Sequence, residues 1–188
     1  MNPVIVIGPP RSGSSVIARL LQTNLGVMMD EGPIRKDTSN PQGYYEDCKL
    51  VDINQRAFSR WQPGKNNEDK VDPMWAVEFA KWLTYRSIKY RNQTWGWKEP
   101  RMVGILPWMK QFVNGNTIWI VTDRSDEQII KSQVQKIGVP NRKIAKAGLL
   151  AYRRMIEKHL NNYHRIDLTE HREEAELTEA LRRITNGC

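Results

Sequence analysis

Residues 3–7, Pro-Val-Ile-Val-Ile, form a short β-branched run that ends abruptly in Gly8-Pro-Pro-Arg-Ser-Gly-Ser-Ser15. Helical spacing begins at once beyond it, with Val16, Ile17, Leu20, Leu21 and Leu25 recurring at the intervals of one helix face. A buried strand, a Gly/Pro/Ser loop and a helix in that order form the opening unit of a parallel α/β sheet. Such a unit needs further strands beside it. Ser12 and Ser14 are the expected capping groups at the start of the helix.

The remaining chain supplies the same alternation. Residues 26–45 are rich in Gly, Pro, Asp and Asn and predict a long functional loop. A helix is predicted from near Glu46, with Leu50, Ile53, Asn54, Ala57, Phe58 and Trp61 inward and Lys49, Asp52 and Arg56 outward. After the polar stretch 62–72, a second helix starts past Pro73 with Trp75, Phe79, Trp82 and Leu83 on one side. Residues 94–98 are a brief strand candidate, 101–112 a helix after Pro100, and 117–122 a strand apolar enough for burial on both faces. Ser125 or Asp126 caps the next helix, whose inner positions are Ile129, Ile130, Gln133 or Val134, and Ile137. A helix over 142–161, a strand over 163–168 and a helix over 173–184 complete an α/β fold. We expect three layers around a central parallel sheet of about four or five strands. No linker-like stretch divides the 188 residues, so one domain is expected.

Charge narrows the ligand. With 29 Lys plus Arg against 21 Asp plus Glu, the formal charge is +8 and the surface field attracts anions. The basic residues are scattered and form no nucleic-acid tail, which favours a small anionic ligand and no nucleic-acid partner. Cys48 and Cys188 stand too far apart to suggest a disulfide framework or a metal cluster, and a reducing compartment fits. Apolar runs are too short to cross a bilayer and no basic leader precedes an apolar segment. The expectation is a soluble cytoplasmic protein without a membrane partner.

The loop after the first strand has the composition of an anion site. Its glycines let the backbone approach a ligand, Ser12, Ser14 and Ser15 add hydroxyl donors, and Arg11 adds a planar charged fork. Against the Walker pattern G-x-x-x-x-G-K-[ST] it keeps Gly8, Gly13 and Ser15 but has Ser14 where the lysine belongs. That absence argues against an ordinary ATPase or kinase, in which the lysine reaches the β/γ-phosphates.

Pro10-Arg-Ser-Gly-Ser-Ser15 resembles the 5'-phosphosulfate loop of sulfotransferases that use 3'-phosphoadenosine-5'-phosphosulfate (PAPS). Ile118-Trp-Ile-Val-Thr-Asp-Arg124, followed by Ser132, resembles the family's grip on the donor's 3'-phosphate. Trp95-Gly-Trp-Lys-Glu-Pro-Arg101 and Asn40-Pro-Gln-Gly-Tyr-Tyr-Glu-Asp47 are similar to the W-x-K-[DE]-P-R and N-P-x-G-[FY]-[FY]-E-[DN] segments of bacterial-type members. The C-terminal strand and helix also have the family's closing pattern. The Arg-Lys-Gly loop that cytosolic animal members lay over the adenine has no recognisable counterpart.

The resemblance implies a P-loop-like sulfotransferase fold, with PAPS as donor and no metal required. It assigns donor binding to Arg11, Ser12, Gly13, Ser14, Ser15, Arg124 and Ser132. Arg11 and Lys98 would neutralise the leaving phosphate, and Glu46 would stand near the acceptor as base. Glu46 equally fits a plain helix N-terminal carboxylate beside Asp47, and Glu99 is a further candidate for the base. His159, His164 and His171 fall in the C-terminal region, away from the expected acceptor loops. Trp61, Trp75, Trp95 and Trp97 are candidate aromatic surfaces for a small-molecule or carbohydrate acceptor carrying a hydroxyl or amine, although most of the aromatics suit a core. Two other functions share these features: a P-loop nucleotide kinase-like enzyme lacking its usual lysine, and a non-catalytic nucleotide-binding protein.

Overall fold

The computed structural model describes residues 3–30, 35–38, 40–58, 73–113, 115–170 and 173–186. Trp61, the stretch 62–72, His171 and Cys188 lie outside the described residues, as do the side chains of Ala57, Phe58 and Ile137. Four parallel strands, β1 (Val4–Ile7), β2 (Gly96–Lys98), β3 (Ile118–Asp123) and β4 (His164–Asp167), pair in the order β2-β1-β3-β4. Val4 is in register with both Gly96 and Ile118, so the carboxyl ends of the first three strands open on one edge. β1 and β3 are buried throughout, as unbroken apolar runs require of strands covered on both faces. β4, at the sheet edge, buries only Ile166 fully.

Strand alternation divides the core in two. Ile5, Ile7, Trp97, Trp119 and Val121 pack with α2 (Cys48–Phe58), α3 (Pro73–Lys89) and α6 (Arg142–His159). Val4, Val6, Ile118, Ile120 and Ile166 pack with α1 (Ser14–Leu25) and α7 (Glu174–Asn186). α5 (Asp126–Ile137) joins α6 through Ile129, Ile130, Ala145 and Leu149. The expected three-layer α/β arrangement is present, with four strands among the described residues. Trp75, Trp82, Trp95 and Trp97 fill the first core, where Trp75 stacks on Phe79 at 5.1 Å. The expected acceptor surfaces at Trp75, Trp95 and Trp97 are therefore packing surfaces. No helix among the described residues is long and apolar enough to cross a membrane.

Local chemistry overrides the sequence expectation in three places. The helix expected over 101–112 is broken into a 3₁₀ segment (Pro100–Ile105) and a short α4 (Leu106–Met109). Pro107 has no N–H with which to continue a ladder, and it starts the second piece instead. Neither Ser12 nor Ser14 caps α1; the N-cap is Gly13 at φ 97, without a side-chain hydrogen bond. A Cβ there would also meet Leu168 Cδ2 at 2.5 Å. α2 starts at Cys48 and not at Glu46, because Asp47 Oδ1 accepts from the Leu50 amide at 2.9 Å.

One buried cation joins these parts. Arg86 on α3 has no exposure; it donates to Asp47 Oδ2 at 3.2 Å and to the carbonyls of Met28 and Gly96 at 2.7 and 2.9 Å. The rings of Trp82, Tyr90 and Trp95 surround the guanidinium at 5.7, 4.7 and 5.5 Å. Replacing it by an apolar residue takes this charged donor away from a buried carboxylate and two carbonyls. Arg86→Met is expected to cost about 3–5 kcal/mol in urea unfolding; a loss below about 1 kcal/mol would contradict this role.

Candidate functional site

The carboxyl ends of β1, β2 and β3 open on a cavity of about 310 Å³. Its floor is the loop after β1. A Cβ on Gly8 would lie 2.2 Å from Thr122 Oγ1, so only glycine lets the loop pass this close to β3. Ser12 is fully buried and shares a 2.6 Å hydrogen bond with Thr122 Oγ1. Its hydroxyl therefore ties the loop to β3, and Ser12 is not among the residues that line the cavity. Arg11 adopts φ 76, a left-handed conformation rare outside glycine, and its Nε donates to Ser132 Oγ at 2.9 Å. Gly13, Ser14 and Ser15 do line the cavity. With no side-chain cap on α1, the positive dipole end of the helix faces the cavity there.

A lysine does reach this loop, but from another strand. Lys98, at the end of β2 and 2% exposed, places Nζ 3.3 Å from Ser15 Oγ, 3.2 Å from the Tyr44 carbonyl and 2.5 Å from Glu46 Oε1. Burial pushes its ammonium below the usual lysine range, and Glu46 opposes that shift. The sequence hides this contact because β2 and β1 are neighbours only in the folded sheet.

Glu46 in turn is 9% exposed, and its Oε2 accepts from Arg101 Nη2 at 3.0 Å. Arg101 also grips Glu99 with both prongs of its fork, Nε to Oε1 at 2.6 Å and Nη2 to Oε2 at 2.9 Å. Glu99 has no exposure; burial pushes its carboxyl above the usual range and Arg101 pulls it back. Glu99 is absent from the cavity wall, whereas Arg101 lines it. Sequence reasoning assigned Arg101 no role, and its position in Lys98-Glu-Pro-Arg101, three residues past Lys98 on a tight turn, was the available signal. Asn40 was missed likewise: its Nδ2 donates to Ser15 Oγ at 3.1 Å and to the Gly43 carbonyl at 2.7 Å.

Arg124, just beyond β3, completes the wall, and its buried Nε has no hydrogen-bond partner among the described residues. Ser132 is drawn to Arg11. Asp123, the neighbour of Arg124, is held by two guanidiniums: Oδ1 accepts from Arg153 at 2.8 Å and from the Arg124 amide at 2.8 Å, Oδ2 from Arg165 at 2.7 Å. His164 stands at the opposite end of the sheet with Thr117 and Ile118, and neither it nor His159 lines the cavity. Among the described residues the charged walls are thus Arg11, Lys98, Arg101 and Arg124 with Glu46, an arrangement suited to a multiply charged anion.

No protein-family model matches the sequence, and no curated protein matches it. Solved structures do share the fold. A sulfotransferase domain from the curacin biosynthetic pathway superposes with a TM-score of 0.64 at 15% identity, over 98% of this chain and 74% of that one. A sugar kinase from Janibacter sp. HTCC2649 gives 0.61 at 14% identity, over 99% and 95%. Shikimate kinase from Acinetobacter baumannii, in complex with shikimate, gives 0.57 at 10% identity, over 100% and 94%. At these identities the likeness defines a P-loop-like fold.

The buried ammonium makes anion binding pH-dependent. An anion binds the protonated form, so affinity is present below the lowered Lys98 pKa and lost as pH rises through it. Calorimetric titration with sulfate is expected to show this alkaline loss in the wild type and not in Lys98→Arg, whose charge persists. An identical fall in both would remove Lys98 from the anion site.

Proposed function

We propose that this chain is a PAPS-dependent sulfotransferase acting on a hydroxyl or amine of a small-molecule or carbohydrate acceptor. The observation that carries the reading is the pair Arg11 and Arg124 on one cavity, approached from two different strands. A donor bearing anions at both its 5' and 3' positions needs two such cations. The buried, unpartnered Nε of Arg124 fits an anionic oxygen at the second position, and Ser132 holds Arg11 in its left-handed turn.

The donor supplies an activated sulfuryl group on a phosphate leaving group. The acceptor oxygen or nitrogen forms its bond to sulfur while the bond from sulfur to the bridging oxygen breaks. The 3',5'-bisphosphate departs with the electron pair and the acceptor proton passes to Glu46. Lys98, Arg11 and the α1 amides stabilise the charge that develops on the leaving side. Glu46 has a cation on each oxygen and keeps a further lone pair on each for the acceptor's proton.

Gly8, Gly13 and Ser15 also keep the positions of a magnesium-ATP loop, which supports a kinase-like alternative. An enzyme of that kind holds its metal with the loop hydroxyl and an acidic residue at a neighbouring strand end. Here the acid at the end of β3, Asp123, already carries two guanidiniums, which favours the metal-independent reading.

Arg124→Ala is expected to weaken the 3',5'-bisphosphate by about 1.5–3 kcal/mol, and adenosine 5'-monophosphate much less; calorimetry on both ligands measures the difference. Equal losses would contradict the assignment. Glu46→Gln should leave bisphosphate affinity nearly intact and suppress transfer from labelled PAPS, and undiminished turnover would move the base elsewhere. Stabilisation by magnesium-ATP with indifference to the bisphosphate in a thermal-shift assay would sink the sulfotransferase reading.

A further inference from the structure

Glu99 presents a problem of its own. A carboxylate with no exposure is costly to bury, and an apolar residue would satisfy packing at least as well. Its side-chain partner among the described residues is Arg101, which it holds in the planar two-point geometry that leaves a guanidinium little freedom. The same carboxylate caps the 3₁₀ segment by accepting from the Arg101 amide at 3.1 Å, so backbone and side chain of Arg101 are both anchored to it. Arg101 spans outward from that anchor. Its guanidinium is 38% exposed, reaches the cavity and meets Glu46 Oε2. On the far side Lys98 takes Oε1 and touches Ser15 of the anion loop. An unbroken chain of charged contacts therefore runs Glu99, Arg101, Glu46, Lys98, Ser15.

We propose that Glu99 is a positioning residue for Glu46: it locks Arg101, and Arg101 fixes the Glu46 carboxylate against the reacting centre. The proposal rests on the reading of Glu46 as the group that takes the acceptor's proton. Glu99 itself touches neither donor nor acceptor. Its work is to keep Arg101 from turning toward the anion that fills the cavity. Arg101 is bonded to two carboxylates at once, and without Glu99 the donor's charge competes with Glu46 for it. A swing of Arg101 toward the donor would leave Glu46 tethered only through Lys98.

Glu99→Gln separates this role from capping, because the amide oxygen still accepts from the Arg101 backbone while the charge and one acceptor oxygen are lost. The wild type is first scored with PAPS and with magnesium-ATP; turnover of ATP alone would overturn the sulfotransferase reading, and the same variants would then be scored on phosphoryl transfer. With either donor, Glu99→Gln and Arg101→Lys are expected to lower kcat about a hundredfold and to leave the nucleotide product's dissociation constant unchanged. Arg101→Ala should lose the same activity and regain part of it on addition of guanidinium ion, which restores the fork but no covalent structure. Wild-type kcat in Glu99→Gln, a loss of nucleotide affinity in step with kcat, or an Arg101→Ala enzyme indifferent to guanidinium would each overturn the clamp. Should Glu99→Gln fail to fold, the Arg101→Ala rescue decides the matter alone.

Discussion

A guanidinium at zero exposure survives only where carbonyls, a carboxylate and aromatic faces replace its water, and Arg86 has all three. Each partner belongs to a different part of the chain. The Gly96 carbonyl fixes the entry of β2, the Met28 carbonyl fixes the segment leaving α1, and Asp47 fixes the start of α2. Glu46 is the neighbour of Asp47 and Lys98 lies two residues beyond Gly96. The orientation of the Glu46–Lys98 pair at the cavity is therefore set from beneath, by a charge that never meets the ligand. Gly96 adds a steric condition, since a Cβ there would lie 2.0 Å from the Val4 carbonyl. β2 approaches β1 closely enough for Lys98 to reach the loop because that position carries no side chain.

The cavity's electrostatics follow from this scaffold. Lys98 and Arg101 are offset by Glu46 and, behind the wall, by Glu99, so that side of the site is close to neutral before any ligand arrives. Arg11 and Arg124 line the cavity from the ends of β1 and β3 and add positive field there. Glu46 and Glu99 thus concentrate the negative charge of the site beside Lys98 and Arg101. Four cations in one place read at first as a uniform basic pocket; the buried acids give it direction.

Much of the fold was legible because its signals are local. The β-branched runs at β1 and β3, the loop glycines and the helix periods each act within a few residues, and the four-stranded α/β architecture follows from them. Local breaks were less legible: Pro107 splits a helix whose apolar spacing runs straight through it, and Ser12 spends its hydroxyl on Thr122, 110 residues away. At the site, Arg11, Glu46, Lys98 and Arg124 stand in recognisable motifs and line one cavity, while Arg101 and Asn40 acquired contacts only through folding. Arg86 was invisible for the same reason. A lone arginine on an amphipathic helix reads as a solvated residue until three separate segments close over it.

The loop after β1 by itself would accept any phosphate-like group; what meets it from β3 gives it a more particular character. Three consecutive residues there diverge in direction, as strand alternation and the strand's end require. Thr122 turns to Ser12 and the Ile7 carbonyl and binds the loop to the sheet. Asp123 turns to Arg153 and Arg165, so each of its oxygens already meets a guanidinium. Arg124 turns to the cavity. An acid facing the loop at this place would draw a metal ion between itself and a nucleotide's phosphates. A guanidinium facing it attracts a second anion directly. One charge moved by one residue along β3 separates these two arrangements, and here it is the guanidinium that faces the cavity.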